Sequence, residues 1–226
     1  MTPEVPLTFD IRNQSFAITE SIAKLPRDHR GFPVPYFVAY VDGKPEFRCA
    51  DPRKLAACLK QNLCWVCGEK LEPVFTFVVG PMCAINLISA EPPSHPACAE
   101  FSAKACPFLA MPKAKRREAC MPEGVVDPAG KFFERNPGVS LLWSTESFEI
   151  IDVPHGIRTR QPGKLFQIGE PVATQWYAEG RHATRAEVQA SIDGGLPLLR
   201  KEAAAAGQRV QLSEAIERSL KYLPAH

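Results

Sequence analysis

The sequence predicts an α+β fold of small antiparallel sheets with peripheral helices, and three observations carry that expectation. Short β-rich runs flank turn dipeptides, as in YFVAYVDGKPEFRCA; capping residues announce helices between such runs; and 22 prolines in 226 residues cut the chain into short elements. That proline content is roughly double the usual share of about 5%. With 45% apolar residues the chain can build a core without covalent staples. A formal charge of +2 does not imply a general attraction for phosphate, so any nucleic-acid contact must rest on a local patch.

The opening segment MTPEVPLTFDIRN lacks the basic flank and apolar run of a secretory signal, and no window of about 18 uninterrupted apolar residues occurs. The expectation is a soluble cytoplasmic protein with no membrane partner. Eight cysteines are too sparse for a secreted disulfide scaffold, and a reducing compartment keeps them as thiols. Metal ligation or burial must account for them.

Tyr36–Val41 and Glu46–Cys49 read as paired strands around Asp42-Gly43, a dipeptide that tolerates a tight hairpin turn. Asp51-Pro52 then starts a helix, Asp51 accepting from orphan amides and Pro52 sitting in the first turn where a missing N–H costs nothing. Leu55, Cys58 and Leu59 share a face, which makes Cys58 a core residue.

The helix gives way to Cys64-Trp65-Val66-Cys67-Gly68, where two thiolates two residues apart can reach one ion from a tight turn and Gly68 lets the backbone curl. Val74–Val79 reads as a strand ended by Gly80-Pro81, followed by a second strand or irregular return to Glu91-Pro92-Pro93-Ser94. Ser94 is the expected N-cap of the next helix, with His95 and Cys98 projecting together from its first turn. The pattern is C-x2-C, 27 intervening residues, H-x2-C. Thiolate and imidazole suit Zn2+ better than an iron–sulfur cluster, and a complete Cys3His shell of Cys64, Cys67, His95 and Cys98 leaves no open position, so the expected role is structural. Cys106 or Cys83 could replace His95; the expectation is a helix end for Cys106 and burial for Cys83, with a surface cleft as the alternative.

In its order of knuckle, connection and ligand-bearing helix, the segment resembles treble-clef zinc fingers. Some treble clefs are HNH nucleases, which need a hairpin histidine as base. Residues 75–94 contain no histidine or aspartate, only Asn86 and Glu91 as polar candidates, so the nuclease reading loses its base.

Four regions follow: a hairpin and helix in residues 1–62, the zinc module in 63–112, a basic linker in 113–140, and strands then helices in 141–226, all within one integrated unit. Lys113, Lys115, Arg116 and Arg117 form the dense basic cluster of the linker, able to neutralise a few phosphates or simply to be solvated. GVSLLWSTESFEIIDVPHG suggests two strands, and KLFQIGEPVATQWYAEG one or two more. Thr184 and Glu187 have capping-box spacing; the helix they open is expected to stop or bend at Gly194-Gly195, restart behind Pro197, stop at Gly207, and yield to a last helix led by Ser213.

The sequence has no Walker A loop, dinucleotide fingerprint, HExxH or nucleophile elbow. Asp152 and His155 in DVPHG and Glu179, Arg181 and His182 in EGRH read as loop chemistry. FPVPYFVAYVDGKPEFR, CWVCG, FVVGPMCAIN, EPPSH, AKACPFL, ERNPGV and AEGRHATRAEVQASIDGGLPLL together resemble a family of uncharacterised bacterial and bacteriophage-associated proteins. That resemblance implies one integrated unit containing the zinc motif and transfers no activity. Two functional classes remain: a zinc-stabilised binding or accessory protein contacting nucleic acid or a protein partner through the module and Lys113–Arg117, or a small enzyme with a structural zinc and His155, His182 or Cys83 as first suspects.

Overall fold

The computed structural model describes residues 8–11, 14–111, 136–154 and 163–225. Lys113, Lys115, Arg116, Arg117 and His155 lie outside the described residues.

The fold is α+β with small antiparallel sheets. Strands β1 (Thr8–Ile11) and β2 (Gln14–Ala17) form a hairpin, and the short helix α1 (Glu20–Ala23) follows. Strands β3 (Val38–Val41) and β4 (Lys44–Ala50) form the next hairpin, turned by Asp42 and Gly43, both at positive φ. The first strand begins two residues later than the sequence suggested, because Tyr36 and Phe37 bond instead to the backbone carbonyls of Val66 and Trp65. Asp51 caps α2 (Pro52–Gln61) by accepting from the Arg53 amide at 2.9 Å, and Cys58 is buried.

Strand β5 (Phe75–Val79) ends at Gly80, and Pro81 does more than stop it: fixed in φ and lacking an N–H, it opens helix α3 (Pro81–Asn86). Strand β6 (Ile88–Ser89) leads to α4 (Pro96–Ala105), capped by His95. Ser94 is therefore not the cap; it is buried one residue earlier, exchanging both backbone hydrogen bonds with Thr76 of β5. The short helix α5 (Pro107–Ala110) follows Cys106, which sits at the end of α4.

The expected two strands of residues 138–156 form as β7 (Ser140–Thr145) and β8 (Phe148–Val153), but in different sheets. With β9 (Gly163–Ile168), β10 (Pro171–Ala178) and β11 (Arg181–His182) they complete a four-stranded sheet ordered β11-β10-β7-β5 and a three-stranded sheet ordered β6-β9-β8. Alternation along β5, β7 and β10 gives the larger sheet two apolar faces. One carries Val78, Leu142 and Tyr177 and receives Ala99 and Ala103 of α4. The other carries Phe77, Leu141, Trp143 and Trp176 into the main core, with Phe166 of the smaller sheet and the C-terminal helices.

Helix α6 (Arg185–Ala205) opens with the Thr184/Glu187 capping box and continues through Gly194, Gly195 and Pro197 without stopping there. Gly195 faces Met82 of α3, whose sulfur would lie 2.8 Å from an added Cβ, so the missing side chain permits the helices to approach. Helix α7 (Arg209–Leu220) starts earlier than Ser213, which lies in its interior and bonds back to the Arg209 carbonyl.

Candidate metal centre

The centre is assembled where two short elements meet. After α2, Asn62 adopts a left-handed conformation, and Leu63 and Lys70 bridge to close a knuckle. Inside it the Cys64 amide donates to the Glu69 carbonyl at 2.7 Å and the Gly68 amide to the Cys64 carbonyl at 2.9 Å. Gly68 has φ +77, and an added Cβ would lie 2.6 Å from the Tyr36 ring. Only glycine meets both conditions without strain.

The other half comes from the start of α4. His95 has extended dihedrals at the cap and Cys98 lies in the first turn. Pro96 holds the first helical position, so its absent N–H leaves no orphan donor. The bridge between Thr76 and Ser94 anchors this helix start to β5 and thereby sets it over the knuckle.

The Sγ atoms of Cys64, Cys67 and Cys98 and a ring nitrogen of His95 all lie within 4.8 Å of one another. His95 Nδ1 is 3.4 Å from Cys67 Sγ and 3.9 Å from Cys98 Sγ. Around a tetrahedral zinc ion, bonds of about 2.3 Å to sulfur and 2.0–2.1 Å to nitrogen separate neighbouring ligand atoms by roughly 3.5–3.8 Å. The two His95 spacings, 3.4 and 3.9 Å, bracket that range. The second ring nitrogen, Nε2, lies 3.0 Å from the Lys70 carbonyl, so that it donates and leaves Nδ1 with its lone pair toward the sulfurs.

Electrostatics favour one anionic sulfur in the group. The Cys64 thiol is held far below its ordinary range, first because the Cys67 and Cys98 thiols donate to its sulfur, and further because the Cys67 and His95 amides point at it from 3.4 and 3.5 Å. The same contact with Cys64 pushes Cys67 up to about 11 and Cys98 upward as well. Three sulfurs this close cannot all carry charge alone, and a divalent cation is the group that would relieve their repulsion. Cys58, buried nearby, is pushed up to about 12, by burial above all and then by the charge of Cys64 and Cys67.

The site is also a core. Cys64 and Cys98 are buried with Ile22, Leu25, Val66, Leu71 and Phe101, while Phe37 stacks on Trp65 of the knuckle with centroids 5.0 Å apart. Cys83 and Cys106 are not in the ligand group. Contrary to the expected burial, Cys83 is exposed, because its neighbours Met82, Ala84 and Ile85 take the inward positions of α3. The knuckle is followed by β5 and then by α3, so the connection joins a strand of the larger sheet to a helix in place of a simple two-stranded hairpin.

The other residues singled out in the sequence are occupied locally. Asp152 pairs with Lys164 directly across β8 and β9. Arg181 makes a two-pronged contact with Glu187 at 2.6 and 3.0 Å, and it also reaches Glu179 at 3.5 Å. His182 is exposed and lies 4.8 Å from the Tyr177 ring, whose hydroxyl donates to Glu100. A crevice between α3, β7, β10 and the C-terminus is lined by apolar groups, among them Ile85, Trp143 and Trp176, and offers no acid–base pair. Among the described residues no helix is long and apolar enough to cross a membrane.

Comparison with known proteins finds no matching family, curated protein or solved structure.

Proposed function

We propose that this chain is a zinc-stabilised binding or accessory protein of the cytoplasm, in which Cys64, Cys67, His95 and Cys98 hold one structural Zn2+. The observation that supports this is the convergence of four ligand atoms, three thiols and an imidazole from two separate sequence segments, within 4.8 Å of one another. Four protein ligands complete a tetrahedral shell and leave no position for a substrate or an activated water, which favours a folding role over catalysis. By analogy with isolated zinc fingers, the ion contributes on the order of 10 kcal/mol to the folded state. In this reading the module presents a surface to nucleic acid, and Lys113, Lys115, Arg116 and Arg117, which follow it in the sequence, neutralise phosphates.

The test is a native mass spectrum of the freshly purified full chain. The expected result is one zinc per chain in the wild type and none in Cys64→Ser or Cys98→Ser. A folded, metal-free wild type that also fails to take up added zinc would overturn the proposal.

A further inference from the structure

The basic segment 113–117 is not the only place where nucleic acid could be met; the hairpin β3–β4 and its flanks offer a second. Residues 27–60 contain seven Lys/Arg against four Asp/Glu, out of 27 and 25 in the whole chain. This segment thus carries a net charge of +3 against −1 for the rest of the chain, the basic run 113–117 being offset by acids elsewhere in that remainder. Three of its four acids, Asp28, Glu46 and Asp51, are each engaged by the arginine two residues on. Lys44 at the hairpin tip and Lys60 on α2 are exposed.

Aromatic rings are interleaved with these cations. Tyr40 and Phe47 are 48% and 38% exposed, which is high for large rings. Lys54 Nζ lies 5.3 Å from the Tyr40 centroid and 5.6 Å from that of Tyr36, and the Arg30 guanidinium lies 5.1 Å from Phe32 and 5.7 Å from Phe47. Such contacts hold rings in place while leaving part of each face open. A single exposed aromatic residue is ordinary; two of them, each beside a cation, in a segment of net positive charge, are the elements of a stacking platform for unpaired bases with a backbone-neutralising surround. The hairpin is tied to the knuckle of the metal centre, since the Tyr36 and Phe37 amides donate to the Val66 and Trp65 carbonyls at 2.7 and 3.3 Å.

We infer that the β3–β4 hairpin binds single-stranded nucleic acid, bases stacking on Tyr40 and Phe47 and phosphates meeting Lys44, Lys60 and their neighbours. This deepens the nucleic-acid reading above and rests on it. A duplex keeps its base faces stacked internally and would not use these rings, so the hairpin selects unpaired strands.

The experiment measures fluorescence anisotropy of a labelled mixed-sequence single strand, as DNA and as RNA, and of the corresponding duplex, against the zinc-loaded full chain. Single-strand binding that weakens with rising salt is expected. Combined Tyr40→Ala and Phe47→Ala should weaken it about tenfold, with zinc content and thermal midpoint unchanged, and Tyr40→Trp should retain it. If that double variant binds like wild type while combined Lys113→Ala, Lys115→Ala, Arg116→Ala and Arg117→Ala abolishes binding, the hairpin inference fails and the nucleic-acid reading survives. Equal or tighter duplex binding overturns the single-strand specificity, and absence of any oligonucleotide binding by the wild type overturns both readings.

Discussion

Gly68 and Gly43 have almost the same backbone conformation, φ +77 and +73, yet they occupy different surroundings. Nothing lies within 4 Å of a Cβ built on Gly43, whereas one on Gly68 would meet the Tyr36 ring at 2.6 Å. Gly43→Ala should therefore cost only the conformational penalty, about 1 kcal/mol, and Gly68→Ala about 1–3 kcal/mol, because the ring and the knuckle must also part. Urea denaturation of the zinc-loaded chain measures both, and equal losses would refute the role given to the Tyr36 contact. His95 shows the same dependence on neighbours: its sulfur-facing nitrogen is defined by the Lys70 carbonyl on the other side of the ring.

Helix α6 illustrates how an element carries its own electrostatics. Glu187 accepts from Arg181 and from the Thr184 amide and hydroxyl, and it is held near 2, with the Arg181 side chain the largest cause. A carboxylate depressed from 4.5 in the folded state stabilises the fold above the unfolded value, and that contribution is lost as pH falls from about 4.5 to about 2. Glu187→Gln should remove this part of the acid sensitivity, read as a flatter dependence of the thermal midpoint on pH across that interval. High salt should shrink the effect, since the pair faces solvent. Thr184→Ala should cost about 1 kcal/mol at neutral pH through loss of the N-cap; no change would show the helix to be held by packing alone. Helix α4 has no such side-chain cap, and it is held instead by Ala99 and Ala103 beneath Leu142 and Tyr177 and by the Glu100 contact with Tyr177.

At the scale of the whole molecule the described residues form a larger and a smaller apolar core, and α4 contributes to the smaller one and to the opposite face of the four-stranded sheet. The larger unites both sheets with α3, α6 and α7; the smaller surrounds Cys64 and Cys98. Because α4 belongs to the ligand group at one end and to the sheet along its length, removing the proposed ion should loosen the smaller core first. Hydrogen exchange with a zinc chelator present should show protection lost from residues 63–71 and the first turn of α4 before β7 and β10. Simultaneous loss everywhere would mean that the two cores form one cooperative unit.

Signals confined to a few neighbouring residues were legible in the sequence. The Asp42-Gly43 turn, the Asp51 cap, the Thr184 capping box and the Cys64/Cys67 knuckle depend on local dihedrals and nearby donors, which short spacings specify. Helix and strand limits that depend on distant partners were not. Pro197 reads as a break, but α6 runs through it because Val188, Ile192, Leu196 and Ala203 keep one buried stripe on the main core. Cys83 reads as a core thiol, but the packing of α3 decided which of its faces turned inward. Ser94 reads as a cap, but its backbone is drawn into pairing with Thr76, moving the cap to His95. The sequence by itself determined the chemistry available, three thiols and an imidazole at ligand spacing. Tertiary structure alone decided that they converge, because the 27 residues between the two halves acquire a direction only when β5 is held in its sheet and Ser94 is tied back to it.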